Sequence, residues 1–264
     1  MTGDAELRRA DDKPGMREFL DFLREISGLL IGCGCSSNRV ELLTQKLGAS
    51  WGFEVEALAI PTGVWITVRS GATNLVELTR VRSWSVDLDR LARLNELVDS
   101  IYDHKISITE AVRKVRAERL MPPPYGPALT LIAGAGSSPI LVYNYGGSTL
   151  ETILALPLGI GVVCLAKYVF TGDETRRHLG DFMGAAFIAA YACIAHALIP
   201  QVEETRLIVG GIVVLVPGLI LVNAVHEVAQ KNLVSGGAKL LEAFMITASL
   251  AFGVVFVLGI RLWL

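Results

Sequence analysis

LIVGGIVVLVPGLILVNAVHEVAQKNLVSGGAK, residues 207–239, is the stretch whose reading decides the fold. Its first nineteen residues, 207–225, are apolar or nearly so, about the length that crosses a bilayer as a helix. Pro217-Gly218 interrupts the middle, Asn223 lies near the end, and His226 and Glu227 follow. Proline leaves the carbonyl of Val213 without its helical donor, and glycine lets a ligand or another helix approach the backbone. In lipid, a freed carbonyl must find a neighbouring helix, a water or a substrate. At about 1.5 Å rise per residue, Pro217 lies roughly 15 Å from Leu207, near mid-depth. A polar, broken element at that depth is where function is expected.

Charge divides the rest of the chain. Residues 1–121 hold 17 Lys+Arg and 18 Asp+Glu, while 122–264 hold 7 and 8. Such asymmetry separates a soluble part from a membrane part. The net charge of -2 gives no reason to invoke nucleic acid as a partner. Residues 1–15 are polar and read as a disordered tail without a secretory signal. Cys33 and Cys35 form a lone C-x-C with no second Cys/His pair nearby, so neither a metal nor any other cofactor is expected.

Residues 16–121 read as a small cytoplasmic α+β domain in the order ααβββαα. Phe19, Phe22, Leu23, Ile26, Leu29 and Leu30 share a stripe over 18–31, and Gly32 and Gly34 end that helix. A second helix is expected over 37–51, with Val40, Leu43, Leu47 and Trp51 inward and Arg39, Glu41 and Lys46 outward. Strands follow at 53–60, 64–69 and 75–81, around Pro61-Thr62-Gly63 and the Gly71–Asn74 turn. Helices resume at 87–103, with Leu91, Leu94, Val98 and Ile101 on one face, and at 108–119, capped by Ser107 or Thr109. The domain shows no glycine-rich phosphate loop and no nucleophile-plus-base pattern.

A proline-rich linker, 122–126, leads to a transmembrane domain over 127–264. Five apolar segments, at 127–145, 152–170, 182–199, 207–226 and 240–260, predict about five transmembrane helices. Small residues such as Gly134, Gly136, Ser137 and Ser138 suit close helix packing in lipid. With the soluble part inside, nine cations flank the cytoplasmic side: Arg113, Lys114, Arg116, Arg119, Lys167, Arg176, Arg177, Lys231 and Lys239. Only Arg206 and Arg261 flank the other. The expected topology has a cytoplasmic N-terminal domain and an outside C-terminus in the plasma (bacterial inner) membrane. An odd number of spans without an internal repeat looks like half of a transporter.

The segments VPGLILVNAVHEV (216–228) and NLVSGGAKLLEA (232–243) resemble the threonine/serine exporter family, which places a PG-x4-N block before an acidic residue and an SG-x2-basic stretch. The matching positions are Pro217, Gly218, Asn223, Glu227, Ser235, Gly236 and Lys239, with Glu242 just beyond. Lys239 and His226 stand where arginine is more usual. In the soluble part, the glycine-broken first helix, Arg39-Val40-Glu41, Trp51-Gly52 and Pro61-Thr62-Gly63 extend the likeness over about 16–262. The resemblance implies a secondary exporter of small polar or anionic metabolites, threonine and serine or a succinate-like dicarboxylate. It also implies the split form of the family, in which a companion membrane subunit supplies the other half, as a hetero- or homo-oligomer.

Each candidate also has a plainer structural reading. Pro217-Gly218 is either a packing kink or a substrate-lining break. Asn223 either bonds a neighbouring helix or meets substrate. Glu227 is an interfacial charge or the carrier of a coupled proton, since ionisable groups in spans are costly. Lys239 and Glu242 read as an i,i+3 ion pair or as further coupling groups. His196 reads as a satisfied hydrogen bond or a relay, and Glu151 and Lys167 as anchors of the second span. Ser235-Gly236 opens the fifth helix, whose N-terminus suits a carboxylate. Two other functions remain open: a scaffold or regulatory subunit whose partner forms the pathway, and an intramembrane hydrolase pairing Ser148 with His196.

Overall fold

A computed structural model describes residues 15–82, 85–122, 125–165 and 174–263, with side chains from 178 onward in the last segment. The expected tail at 1–14, Pro123 and Pro124 of the linker, Lys167, and the side chains of Arg176 and Arg177 lie outside the described residues. Contacts divide the chain into two compact units, Met1–Pro122 with Val222–Lys239, and Pro123–Leu221 with Leu240–Leu264.

The first unit begins with α1 (Met16–Gly32) and α2 (Ser37–Ser50), joined by a turn in which Gly34 adopts φ +89°. Only glycine takes that conformation without strain. Phe19, Phe22, Leu23, Ile26 and Leu30 of α1 are almost wholly buried, as their helical spacing requires. Fully burying side chains of this size contributes about 1.5–3 kcal/mol each. The sheet is an antiparallel meander, β1 (Glu54–Ile60), β2 (Gly63–Ser70) and β3 (Thr73–Arg80), in the order β1-β2-β3. Ile60 pairs with Gly63 and Ser70 with Thr73, so both hairpins close on two residues. This starts β3 earlier than the expected 75–81, because Gly71 at φ +59° turns the chain at once.

Val64, Ile66 and Val68 of β2 are buried on one face, and α1 packs against β2 and β3. The other face carries Leu58, Trp65 and Leu78, which are cross-strand neighbours and remain substantially exposed. Two helices complete the domain. In α3 (Leu88–Tyr102) the side chain of Asp87 caps the N-terminus through Arg90 N–H. In α4 (Ile108–Leu120) Ser107, one of the two expected caps, accepts from Glu110 N–H at 3.3 Å.

The remaining helices are α5 (Pro127–Asn144), α6 (Thr149–Cys164), α7 (Glu174–Leu198), α8 (Glu204–Ile212), α9 (Gly218–Ala229) and α10 (Leu233–Trp263). The described residues are thus mostly helical with one small sheet. In the second unit, glycines set close helix contacts. A Cβ on Gly159 would lie 2.4 Å from the Gly134 carbonyl oxygen, and one on Gly253 2.3 Å from that of Phe182. Among the described residues, two helical stretches are long and apolar enough to cross a membrane, His178–Leu198 and Leu233–Trp263, while Thr149–Cys164 and Gly218–Ala229 are shorter apolar helices. The fourth expected span is two helices: α8 stops at Ile212 and α9 starts at Gly218. Proline at 217 cannot donate to continue the first, and it leads the second.

Candidate functional site

The site is built around α9, α10 and the start of α2, all within the first unit for residues 222–239. At the end of α9, Lys231 N–H bonds to Val228 O and Asn232 N–H to Glu227 O, each at 2.9 Å. Lys231 takes φ 66° there, completing a Schellman-type turn in which asparagine or glycine is commoner. The chain then enters α10 directly, with Gly236 N–H bonded to Asn232 O at 3.0 Å. A Cβ on Gly236 would sit 2.6 Å from Val228 Cγ2, 2.9 Å from Val228 N and 3.0 Å from Ala224 O. Gly236 therefore lets the first turn of α10 lie against the backbone of α9.

This approach brings Lys239 to Glu227. Lys239 Nζ lies 2.7 Å from Glu227 Oε1, with Glu227 0% and Lys239 7% exposed. The same oxygen accepts from the backbone N–H of Ser37 at 2.8 Å. Ser37 is the first residue of α2, so the carboxylate meets the positive end of a helix dipole as well as an ammonium. Ser37 and Ser235 hydroxyls, both fully buried, are 2.6 Å apart. Outside this layer, Asn38 donates to Gln230, whose amide nitrogen lies 2.8 Å from His226 Nε2. Burial pushes the neighbouring Cys35 thiol up, against the lowering pull of Arg39 and Lys239.

All the donors to Glu227 converge on Oε1. Its other oxygen, Oε2, is buried and has no hydrogen-bond partner among the described residues. A buried polar atom without a partner is uncommon. The arrangement can therefore hold a charge pair while leaving one carboxylate oxygen open to a proton or to a ligand donor.

Of the residues singled out in sequence, Glu227, Ser235, Gly236 and Lys239 come together here. Asn223 is one turn before Glu227 on α9 and half-buried. Lys239 reaches Glu227, twelve residues back, a contact that the i,i+3 reading with Glu242 did not include. Pro217 and Gly218 stand at the helix break in the second unit, and a Cβ on Gly218 would meet nothing within 4 Å. Ser37 was not anticipated as part of a site. Its signal lay in Cys33-Gly-Cys-Ser-Ser37, a small-residue turn just before an apolar-periodic helix, which marks a donor-rich helix N-terminus.

His196 belongs to a different cluster in the second unit. Its Nδ1 donates to the Val202 carbonyl at 2.7 Å, the satisfied hydrogen bond that was one of its two readings. Ser148 is the N-cap of α6 in a capping box with Glu151, and its hydroxyl donates to Glu151 Oε2 at 2.9 Å. Ser148 and His196 thus have separate partners and do not form a nucleophile–base pair. Glu151, read in sequence as an anchor, is 1% exposed. It also accepts from Glu203 N–H at 2.7 Å and pairs with Arg206 at 3.2 Å.

Comparison with known proteins gives consistent results. The ThrE family, described as "Putative threonine/serine exporter", matches residues 21–261. A Mycobacterium tuberculosis protein named "Probable threonine/serine exporter" is 25% identical over 242 residues, covering 90% of this chain and 45% of that protein. An uncharacterized protein of Schizosaccharomyces pombe is 24% identical over 240 residues, 88% of this chain and 32% of its own length. "Pheromone-regulated membrane protein 10" of Candida albicans is 20% identical over 248 residues, 92% of this chain and 22% of its length. The chain therefore spans less than half the length of these relatives. No solved structure matches.

Proposed function

Because this chain belongs to the threonine/serine exporter family, we propose that it is a subunit of a secondary membrane exporter. It moves a small polar or anionic metabolite outward, threonine or serine or a succinate-like dicarboxylate. The observation that carries this reading is the buried Glu227–Lys239 pair with its open Oε2. Buried ion pairs cost desolvation and are weak devices for stability alone, and ionisable groups in apolar segments tend to be functional. In this proposal Oε2 of Glu227 takes the coupled proton, Asn223 and the broken segment at Pro217-Gly218 line the substrate path, and Ser235, Gly236, Lys239 and Glu242 shape its cytoplasmic end. His196 serves the opposite end. The chain crosses the plasma membrane several times, five in the full proposal, with its N-terminal domain cytoplasmic. A companion membrane subunit completes the pathway. The exposed apolar residues Leu241, Phe244, Phe252, Val255 and Phe256 of α10 suit lipid or such a neighbour.

The test is efflux from membranes holding this chain with and without its companion, across amino acids and dicarboxylates. Asn223→Ala and Glu227→Gln are each expected to abolish efflux at unchanged protein abundance in the membrane. Unchanged efflux in both variants rejects these residue roles. A second reading, a regulatory subunit, is favoured by one observation: Glu227 and Ser235 bond to Ser37 of the N-terminal domain, which links that domain to α9 and α10. Full transport by the companion alone would select it.

A further inference from the structure

The first unit contains a cleft of about 870 Å³, none of whose lining residues takes part in the Glu227 cluster. Its size falls within the range of small-molecule sites, roughly 300–1,000 Å³. Four stretches separated in sequence converge on it. Arg24 and Glu25 come from α1, Arg80 and Arg82 from the end of β3 and beyond, and Asp87, Arg90 and Arg119 from α3, its cap and α4. Five guanidinium groups thus face two lining carboxylates, and Arg24 also pairs with Asp21 at 3.7 Å and Glu77 at 3.6 Å beside the cleft. The domain as a whole is nearly balanced, with 17 Lys+Arg against 18 Asp+Glu over 1–121, so the cleft concentrates positive charge that the sequence total conceals.

The two carboxylates are already engaged. Glu25 lies 3.4 Å from both Arg24 and Arg119. Asp87 Oδ1 caps α3, and its Oδ2 is 3.6 Å from Arg90 Nε, beyond hydrogen-bond range. Arg90 Nη2 donates to the Met121 carbonyl at 2.8 Å and its guanidinium interacts with the Cys33 thiol, while Arg90 Nε is buried without a geometric hydrogen bond among the described residues. Arg80 and Arg82 have no ion pair among the described residues. Cys33, also in the lining, adds no opposing charge, since burial pushes its thiol up to about 11. Planar guanidinium forks match carboxylate and phosphate oxygens.

We propose that this cleft binds a small oxyanion carrying two or more negative charges, a phosphate ester or a polycarboxylate, through Arg80, Arg82 and the Nε edge of Arg90. Such an oxyanion can come from a soluble metabolite or from a lipid headgroup. This site stands independently of the export reading, and its test reads binding alone. The full chain in phosphatidylcholine nanodiscs is titrated at low salt with pyrophosphate and with citrate by calorimetry. One-to-one binding of at least one probe is expected. Arg80→Gln/Arg82→Gln, both exposed side chains, is expected to weaken it by about tenfold or more. Arg69→Gln, whose partners Glu54 and Glu56 lie outside the cleft, leaves it unchanged. Repeating the titration in phosphatidylglycerol nanodiscs separates the sources: loss of probe binding identifies a headgroup as occupant, and retained binding a soluble anion. No binding of either probe in phosphatidylcholine nanodiscs, or equal weakening by Arg69→Gln, overturns the proposal.

Discussion

Glu151 and Glu227 are both buried carboxylates, 1% and 0% exposed, but their surroundings differ in kind. Glu151 spends both oxygens on the second unit's own scaffold. Oε1 takes Glu203 N–H, and Oε2 takes Ser148 N–H, the Ser148 hydroxyl and Arg206. It thereby ties the start of α6 to the start of α8. Glu227 instead gathers two donors on one oxygen and leaves the other without a partner among the described residues. Burial of a carboxylate is therefore no sign of function by itself. The distinguishing quantity is how much accepting capacity the fold leaves unused.

The largest effect expected from this contrast is on stability at the Glu227 pair. Lys239→Met leaves a buried carboxylate without its cation and is expected to cost about 3–5 kcal/mol, read by denaturant unfolding in detergent. The double variant Glu227→Gln/Lys239→Met should recover much of that loss. Equal losses in the single and double variants would mean that the two groups are not coupled. Next, Glu151→Gln weakens the capping box and the Arg206 bridge and is expected to cost about 1–3 kcal/mol. Efflux per folded molecule should persist in that variant, whereas Glu227→Gln should lose it. A Glu151→Gln protein that is abundant yet silent would dissolve the distinction between clamp and coupling group.

Two glycines sharpen the same comparison at smaller scale. Gly236→Ala places a Cβ 2.9 Å from backbone nitrogen and is expected to cost about 1–3 kcal/mol by overpacking. Gly218→Ala meets nothing within 4 Å and should stay within about 0.5 kcal/mol. Efflux lost in Gly218→Ala without loss of stability would implicate the helix break in the substrate path. The smallest effect is on thiol chemistry. With burial holding Cys33 at about 11 and Cys35 also raised, alkylation near pH 8 is expected to be slow, because thiolate is the reactive form.

Much of the N-terminal domain was legible in sequence. The stripe from Phe19 to Leu30, the strand alternation and the Ser107 cap are signatures of local geometry, and they reappear with ends shifted by a residue or two. The membrane part was less legible. Hydropathy marks five apolar segments, but helix length also depends on where the chain breaks. Pro217 divides the fourth segment into α8 and α9 rather than bending one helix. The roles within the candidate site were the least legible. Sequence paired Lys239 with Glu242 at i,i+3, and it could not say that Lys239 turns back across a tight α9–α10 turn to reach Glu227.

By itself, the sequence determined the family, the helical and strand periods, the charge asymmetry and the small residues that permit close contacts. These follow from side-chain chemistry and spacing along a few turns of chain. Only the tertiary structure decided that Glu227 meets Ser37, 190 positions away in sequence, and that five arginines converge on one cleft. A contact across such a separation has no period and no local signature. It exists because the buried polar groups at the start of α2, at the end of α9 and in the first turns of α10 must each find a partner or be left without one.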